Sequence, residues 1–79
     1  MDQQGIFLSN VPNNKRARIV NIQGGAGLVR KLQVMGIRKG QEIKIVSKQP
    51  FRGPLTIEVC GSQMTLGRGM TRKILVEVI

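Results

Sequence analysis

Leu55, Ile57 and Val59 alternate with Thr56, Glu58 and Cys60, the cleanest two-residue period in the chain. No other feature restricts the fold as strongly. Successive side chains of a strand point to opposite faces, so this segment buries one face and leaves the other in water. Gly61-Ser62 reads as a two-residue hairpin turn, with Met64 and Leu66 on the returning strand. Shorter runs repeat the pattern. Ala17, Ile19 and Asn21 point one way while Val20 and Ile22 point the other, and the run stops at Gly24-Gly25. Ile43 and Ile45 oppose Glu42, Lys44 and Lys48, with Val46 joining the second face. Ile74, Val76 and Val78 form a closing strand.

One segment follows a different period. Leu28, Leu32 and Met35 fall at i, i+4 and i+7, which predicts a helix over 26–35. Gly36 stands where a left-handed residue ends such a helix, and Ile37 follows where it can touch Leu32. Residues 1–14 are polar and read as a loosely held lead-in from which Leu8 or Val11 docks on the core. Residues 49–54 read as a loop, with Pro50 and Pro54 bracketing Phe51. Gly67-Arg68-Gly69 breaks the strand pattern before a short helical turn around Met70 to Lys73.

A chain of 79 residues is expected to form one domain spanning 1–79, with a modest core. Short antiparallel strands in so small a chain hide their edges by curling. The expected fold is mainly β with one short helix, a small SH3-like β-barrel of about five antiparallel strands.

The inventory of reactive side chains is thin: no His, Trp or Tyr, one Cys and two Phe. Redox, metal-hydrolytic and acid–base catalysis need groups that are missing, so the chain does not read as an enzyme. Asp2, Glu42, Glu58 and Glu77 are scattered, with no pair at ligand spacing. The three glutamates read as solvated strand-face residues and Cys60 as a small hydrophobe. No cofactor or metal site is expected. Gly24-Gly25-Ala26-Gly27 opens the helix but lacks the Gly-Lys-Ser/Thr ending of a nucleotide loop, so the glycines read as a strand-to-helix turn. The N-terminus lacks the basic and apolar parts of a secretory signal, and the run from Ile74 to Ile79 is too short to cross a bilayer. With a lone cysteine besides, a soluble cytoplasmic protein is expected.

Charge is the stronger signal. Thirteen Lys and Arg against four acids give a formal +9, which points to an anionic partner. The cations are dispersed, however, and Phe7 and Phe51 are the only rings, so no platform for stacked bases exists. Binding of nucleic acid through phosphates alone stays open as the alternative reading. Protein binding has its own features: Val29 lies beside the main helix stripe, where it equally widens the core face, and Phe51 and Leu55 flank the proline loop.

The order Ala17-Arg18-Ile19-Val20, Gly24-Gly25, Leu28-Val29-Arg30-Lys31-Leu32 and Met35-Gly36-Ile37 resembles the ferrous iron transport protein A (FeoA) family. The similarity continues through Lys39-Gly40-Gln41-Glu42-Ile43 and Pro50-Phe51-Arg52-Gly53-Pro54 to Val59, Gly61, Leu66 and Ile74-Leu75-Val76-Glu77. Arg68-Gly69-Met70 departs from the acidic-flanked turn that family members often carry there. The resemblance implies an SH3-like barrel without enzymatic activity. It also implies a small cytoplasmic accessory of the ferrous iron transporter FeoB, acting by protein–protein interaction with its GTP-binding domain. The expected contact residues are Leu28, Val29, Arg30 and Lys31 on the helix and Pro50, Phe51, Arg52 and Pro54 in the loop. Self-association through strand edges is a third reading that the sequence does not rank.

Overall fold

Backbone hydrogen bonds join the alternating segments into one antiparallel sheet. The computed structural model describes residues 5–49 and 53–79. In chain order the elements are β1 (Ile6–Phe7), a 3-10 turn (Leu8–Asn10), β2 (Arg16–Ile22), α1 (Ala26–Val34), β3 (Glu42–Lys48), β4 (Leu55–Val59), β5 (Ser62–Leu66), α2 (Arg68–Thr71) and β6 (Ile74–Val78). The strands lie in the order β1-β6-β2-β3-β4-β5, a barrel-like sheet whose two edge strands do not meet. The count is six rather than five, because Ile6 and Phe7 pair with Val76 and Leu75 of β6.

Burial explains the architecture. Ala17 and Ile19 of β2, Ile43 and Ile45 of β3, the three apolar residues of β4, Leu66 of β5, and Ile74 and Val76 of β6 form one buried cluster. Leu32 and Ile37 close it from the helical side, and Leu8 and Val11 from the N-terminal side. The segment read as a loose lead-in is therefore tied down from Gly5 onward. Beyond the β1 pairing and the two buried side chains, the Lys48 Nζ donates to the Ser9 carbonyl at 3.2 Å.

Two bulges shift the faces away from simple alternation. In β2, Ile19 lies opposite Val76 and Asn21 opposite Leu75, so Val20 has no partner. The extra residue reverses the alternation beyond it. Asn21, expected on the face of Ala17 and Ile19, is exposed while those two are buried, and Ile22 packs on the core instead. In β3, Val46 is the extra residue between the Ile45–Ile57 and Ser47–Thr56 pairs.

The β4–β5 turn lies one residue earlier than Gly61-Ser62. Leu55 pairs with Leu66 and Val59 with Ser62, leaving Cys60 and Gly61 at the tip. Both have positive φ, 53° and 82°, as the hairpin turn that matches strand twist requires. The register aligning apolar partners across the hairpin prevails over the reluctance of a cysteine to adopt that backbone. The short helix also begins earlier than expected, at Arg68, with the Gly67 carbonyl accepting from the amides of Met70 and Thr71. The buried Thr71 hydroxyl donates to the Arg68 carbonyl at 2.9 Å. Among the described residues no helix is long and apolar enough to cross a membrane.

Candidate functional site

Helix α1 lies across one side of the sheet with Leu32 fully buried and Leu28 and Met35 half-buried against the core. Its end is fixed by two crossed bonds. The Ile37 amide donates to the Leu32 carbonyl at 2.8 Å, and the Gly36 amide to the Gln33 carbonyl at 3.0 Å. Gly36 has φ of 91°, so the expected left-handed stop is present. The segment leading into it is tied to the residue before β6, because the Gln23 amide donates to the Lys73 carbonyl at 2.7 Å.

The chain then turns through Arg38–Gln41 and is strapped to β2. The Gly40 amide donates to the Ile19 carbonyl at 2.8 Å, and the Ile19 amide to the Gln41 carbonyl at 2.9 Å. This strap holds Arg38 and Lys39 alongside the end of β2. Between helix, strap and strand lies a half-open groove of about 330 Å³. Val29 and Gln33, four apart and hence on one side of the helix, line it together with Asn21, Ile22, Arg38 and Lys39.

The predicted contact residues are distributed as follows. Leu28 packs on the core, Val29 lines the groove, and Arg30 and Lys31 are exposed on the outer side of α1. Pro54 is exposed at the start of β4, where its carbonyl accepts from the Gln49 amide at 3.1 Å and closes the base of the loop. Pro50, Phe51 and Arg52 lie outside the described residues. The C-terminal end of the helix approaches the opposite end of β4. A Cβ placed on Gly36 would lie 3.5 Å from Val59 Cγ1. Asn21, Ile22, Gln33, Arg38 and Lys39 were not singled out in the sequence, since three separate segments supply them. The only local signal was the i, i+4 spacing of Val29 and Gln33.

The electrostatics are uneven. Three glutamates sit on the outer face of the sheet, two of them ion-paired and the third opposite a lysine in register. Arg18 lies in register between Glu77 and Glu42, and its guanidinium nitrogens reach their carboxylates at 3.1 and 3.6 Å. In the neighbouring row Arg16 is opposite Lys44, and Lys44 is opposite Glu58. Three cations and three carboxylates cancel on this face, so the formal +9 belongs to the rest of the chain. Arg30, Lys31, Arg38, Lys39, Arg72 and Lys73 are all exposed on α1 or the segments that border it, and no acid occurs between residues 3 and 41.

Among the described residues no three Cys, Asp or Glu side chains come together as a metal site. A second cavity, of about 210 Å³ on the neutral face, is lined by Arg16, Glu42, Lys44, Glu58 and Cys60 with Ile43 and Gly61. Its charges are mixed, whereas the α1 groove offers cations and amides over an apolar floor.

Comparison with known proteins agrees with the fold. The FeoA domain family matches residues 6–78. A candidate Fe(2+) transport protein A of Methanocaldococcus jannaschii is 37% identical over 59 residues, which cover 75% of this chain and 70% of that protein. The solution structure of a FeoA-like protein from Clostridium acetobutylicum superposes with a TM-score of 0.86 at 31% identity, covering 99% of this chain and 91% of that one. The crystal structure of an iron uptake regulatory protein (FeoA) also gives a TM-score of 0.86, at 27% identity over 98% of this chain and all of that one.

Proposed function

Because the chain belongs to the FeoA domain family, whose members are linked to ferrous iron transport and are not known enzymes, we propose that it is a cytoplasmic accessory protein of ferrous iron uptake. It docks on the cytoplasmic GTP-binding domain of a FeoB-type transporter and regulates it by contact. The observation that carries this reading is the exposed basic surface along α1, free of any carboxylate, on a molecule whose described acids all lie on the outer face of the sheet. Val29, Arg30 and Lys31 form the core of the docking face. Leu28 holds the helix in place rather than touching the partner. The loop from Pro50 to Pro54 is a second contact region.

Titration of isotope-labelled protein with the transporter's cytoplasmic domain tests the reading. Chemical shifts should move at Val29 to Lys31, and R30E/K31E should weaken association by about tenfold. An unshifted spectrum at high partner concentration would sink the proposal. Duplex DNA and single-stranded RNA serve as comparisons. Binding to either, falling steeply with salt, would favour the nucleic-acid reading instead.

A further inference from the structure

The groove beside α1 combines two features that one ligand could use together. Its floor and helix wall are apolar, from Ile22 and Val29, and its rim is cationic and amide-bearing, from Arg38, Lys39, Asn21 and Gln33. No carboxylate lines it, and among the described residues neither Arg38 nor Lys39 forms an ion pair. The geometry is also held. The strap hydrogen bonds to Ile19 and the crossed bonds at the helix end fix both walls relative to β2.

We infer that this groove binds an acidic segment of protein chain, one that inserts an apolar side chain onto Ile22 and Val29 and sets carboxylates against Arg38 and Lys39. The inference rests on the reading of the chain as a docking protein and names what the docked surface must offer. Charge complementarity selects the sign of the ligand. A flat bilayer does not reach a recessed floor. A nucleic-acid backbone has no apolar group to fill it, and no aromatic side chain lines it to stack a base. A small inorganic anion gains only exposed, screened contacts of little individual strength. A peptide gains the floor as well, with its carboxylates set against Arg38 and Lys39 on the rim.

The test uses the full chain, isotope-labelled, with three synthetic peptides. The first has a central leucine flanked by aspartates and glutamates, the second replaces the leucine by serine, and the third replaces the acids by lysine. The first peptide should shift Ile22, Val29, Gln33, Arg38 and Lys39 and lose affinity as salt rises. The other two should bind at least about threefold more weakly. R38E/K39E should weaken the first peptide by about tenfold while the spectrum stays that of a folded protein. Val29→Thr, which keeps the shape but not the apolar surface, should weaken it about threefold. Equal binding of all three peptides, or no effect of R38E/K39E, overturns the inference. The transporter's cytoplasmic domain is titrated in parallel. If that domain binds along α1 while the acidic peptide does not, the groove is not the acceptor but the docking reading stands. If the peptide fills the groove and the domain does not bind, the docking reading falls and the inference survives. Failure of both removes both.

Discussion

Leu32→Ala and Val34→Ala, two positions apart on α1, should behave in opposite ways. Leu32 is wholly buried and Val34 is 83% exposed. Truncating Leu32 removes three carbon groups from the core at about 0.8 kcal/mol each, about 2.4 kcal/mol before any cavity is counted. The cavity raises the loss to about 3–4 kcal/mol. The walls around Leu32 have little room to collapse, since its own carbonyl is committed to the Ile37 and Met35 amides. A chain of 79 residues has a total stability of about 4–12 kcal/mol, so the variant should sit near the edge of folding. Thermal melting followed by circular dichroism should show Tm lowered by about 12–32 °C. Urea unfolding should show an unchanged slope with an earlier midpoint. Val34→Ala loses almost no burial and exchanges a β-branched residue for the best helix former, a gain of about 0.5 kcal/mol. A Leu32→Ala protein melting within about 5 °C of the parent, or a Val34→Ala protein equally destabilised, would refute the assignment of the helix faces.

Gly5→Ala should release β1, because its Cβ would lie 2.5 Å from the Val76 carbonyl oxygen at a φ of 66°. The expected loss is about 1–3 kcal/mol, read as faster amide exchange in β1 and along the facing edge of β6; unchanged protection there would mean the edge pairing is dispensable. Gly27→Ala and Gly40→Ala both add a methyl into open space, yet they should differ in sign. The first removes a glycine from a helix and should stabilise by about 0.5–1 kcal/mol. The second forces a side chain to a φ of 87° and should destabilise by about 1–2 kcal/mol, so equal melting temperatures would contradict the backbone assignment. Arg18→Ala breaks both ion pairs of the outer face, but with the partners about half exposed the loss should stay under about 1 kcal/mol and shrink with added salt. A larger, salt-insensitive loss would show that Arg18 has a packing role.

Local patterns made the hairpin and the helix legible, and left other parts of the fold hidden. The alternation of Leu55, Ile57 and Val59 and the Gly36-Ile37 stop each report a structure that a few adjacent residues determine. β1 did not announce itself, because two residues carry no period and its partner lies at the far end of the chain. The bulges at Val20 and Val46 are equally silent, being set by how neighbouring strands align, and with them went the true directions of Asn21 and Ile22. The hairpin tip was misplaced by one residue because cysteine is a poor signal for positive φ. For the site, Arg30 and Lys31 could be picked out as outward helix residues, and Val29 only as lying beside the core stripe. The groove could not, since Asn21, Arg38 and Lys39 meet Val29 only through the strap onto Ile19. The absence of acids from residues 3–41 was plain in the sequence, but their cancellation on one face depends on strand register.

The neutral outer face of the sheet gives the molecule an electric dipole. Within a Debye length of an acidic surface, about 8–10 Å at physiological salt, such a body feels a torque as well as an attraction. It rotates during its last approach, and the α1 side arrives first. Arg18 therefore matters to motion although it lies away from the groove: removing it leaves Glu42 and Glu77 unbalanced and lengthens the dipole rather than shortening it. With the net charge lowered from +9 to +8, the overall attraction to an acidic partner would weaken slightly while the orienting torque grew.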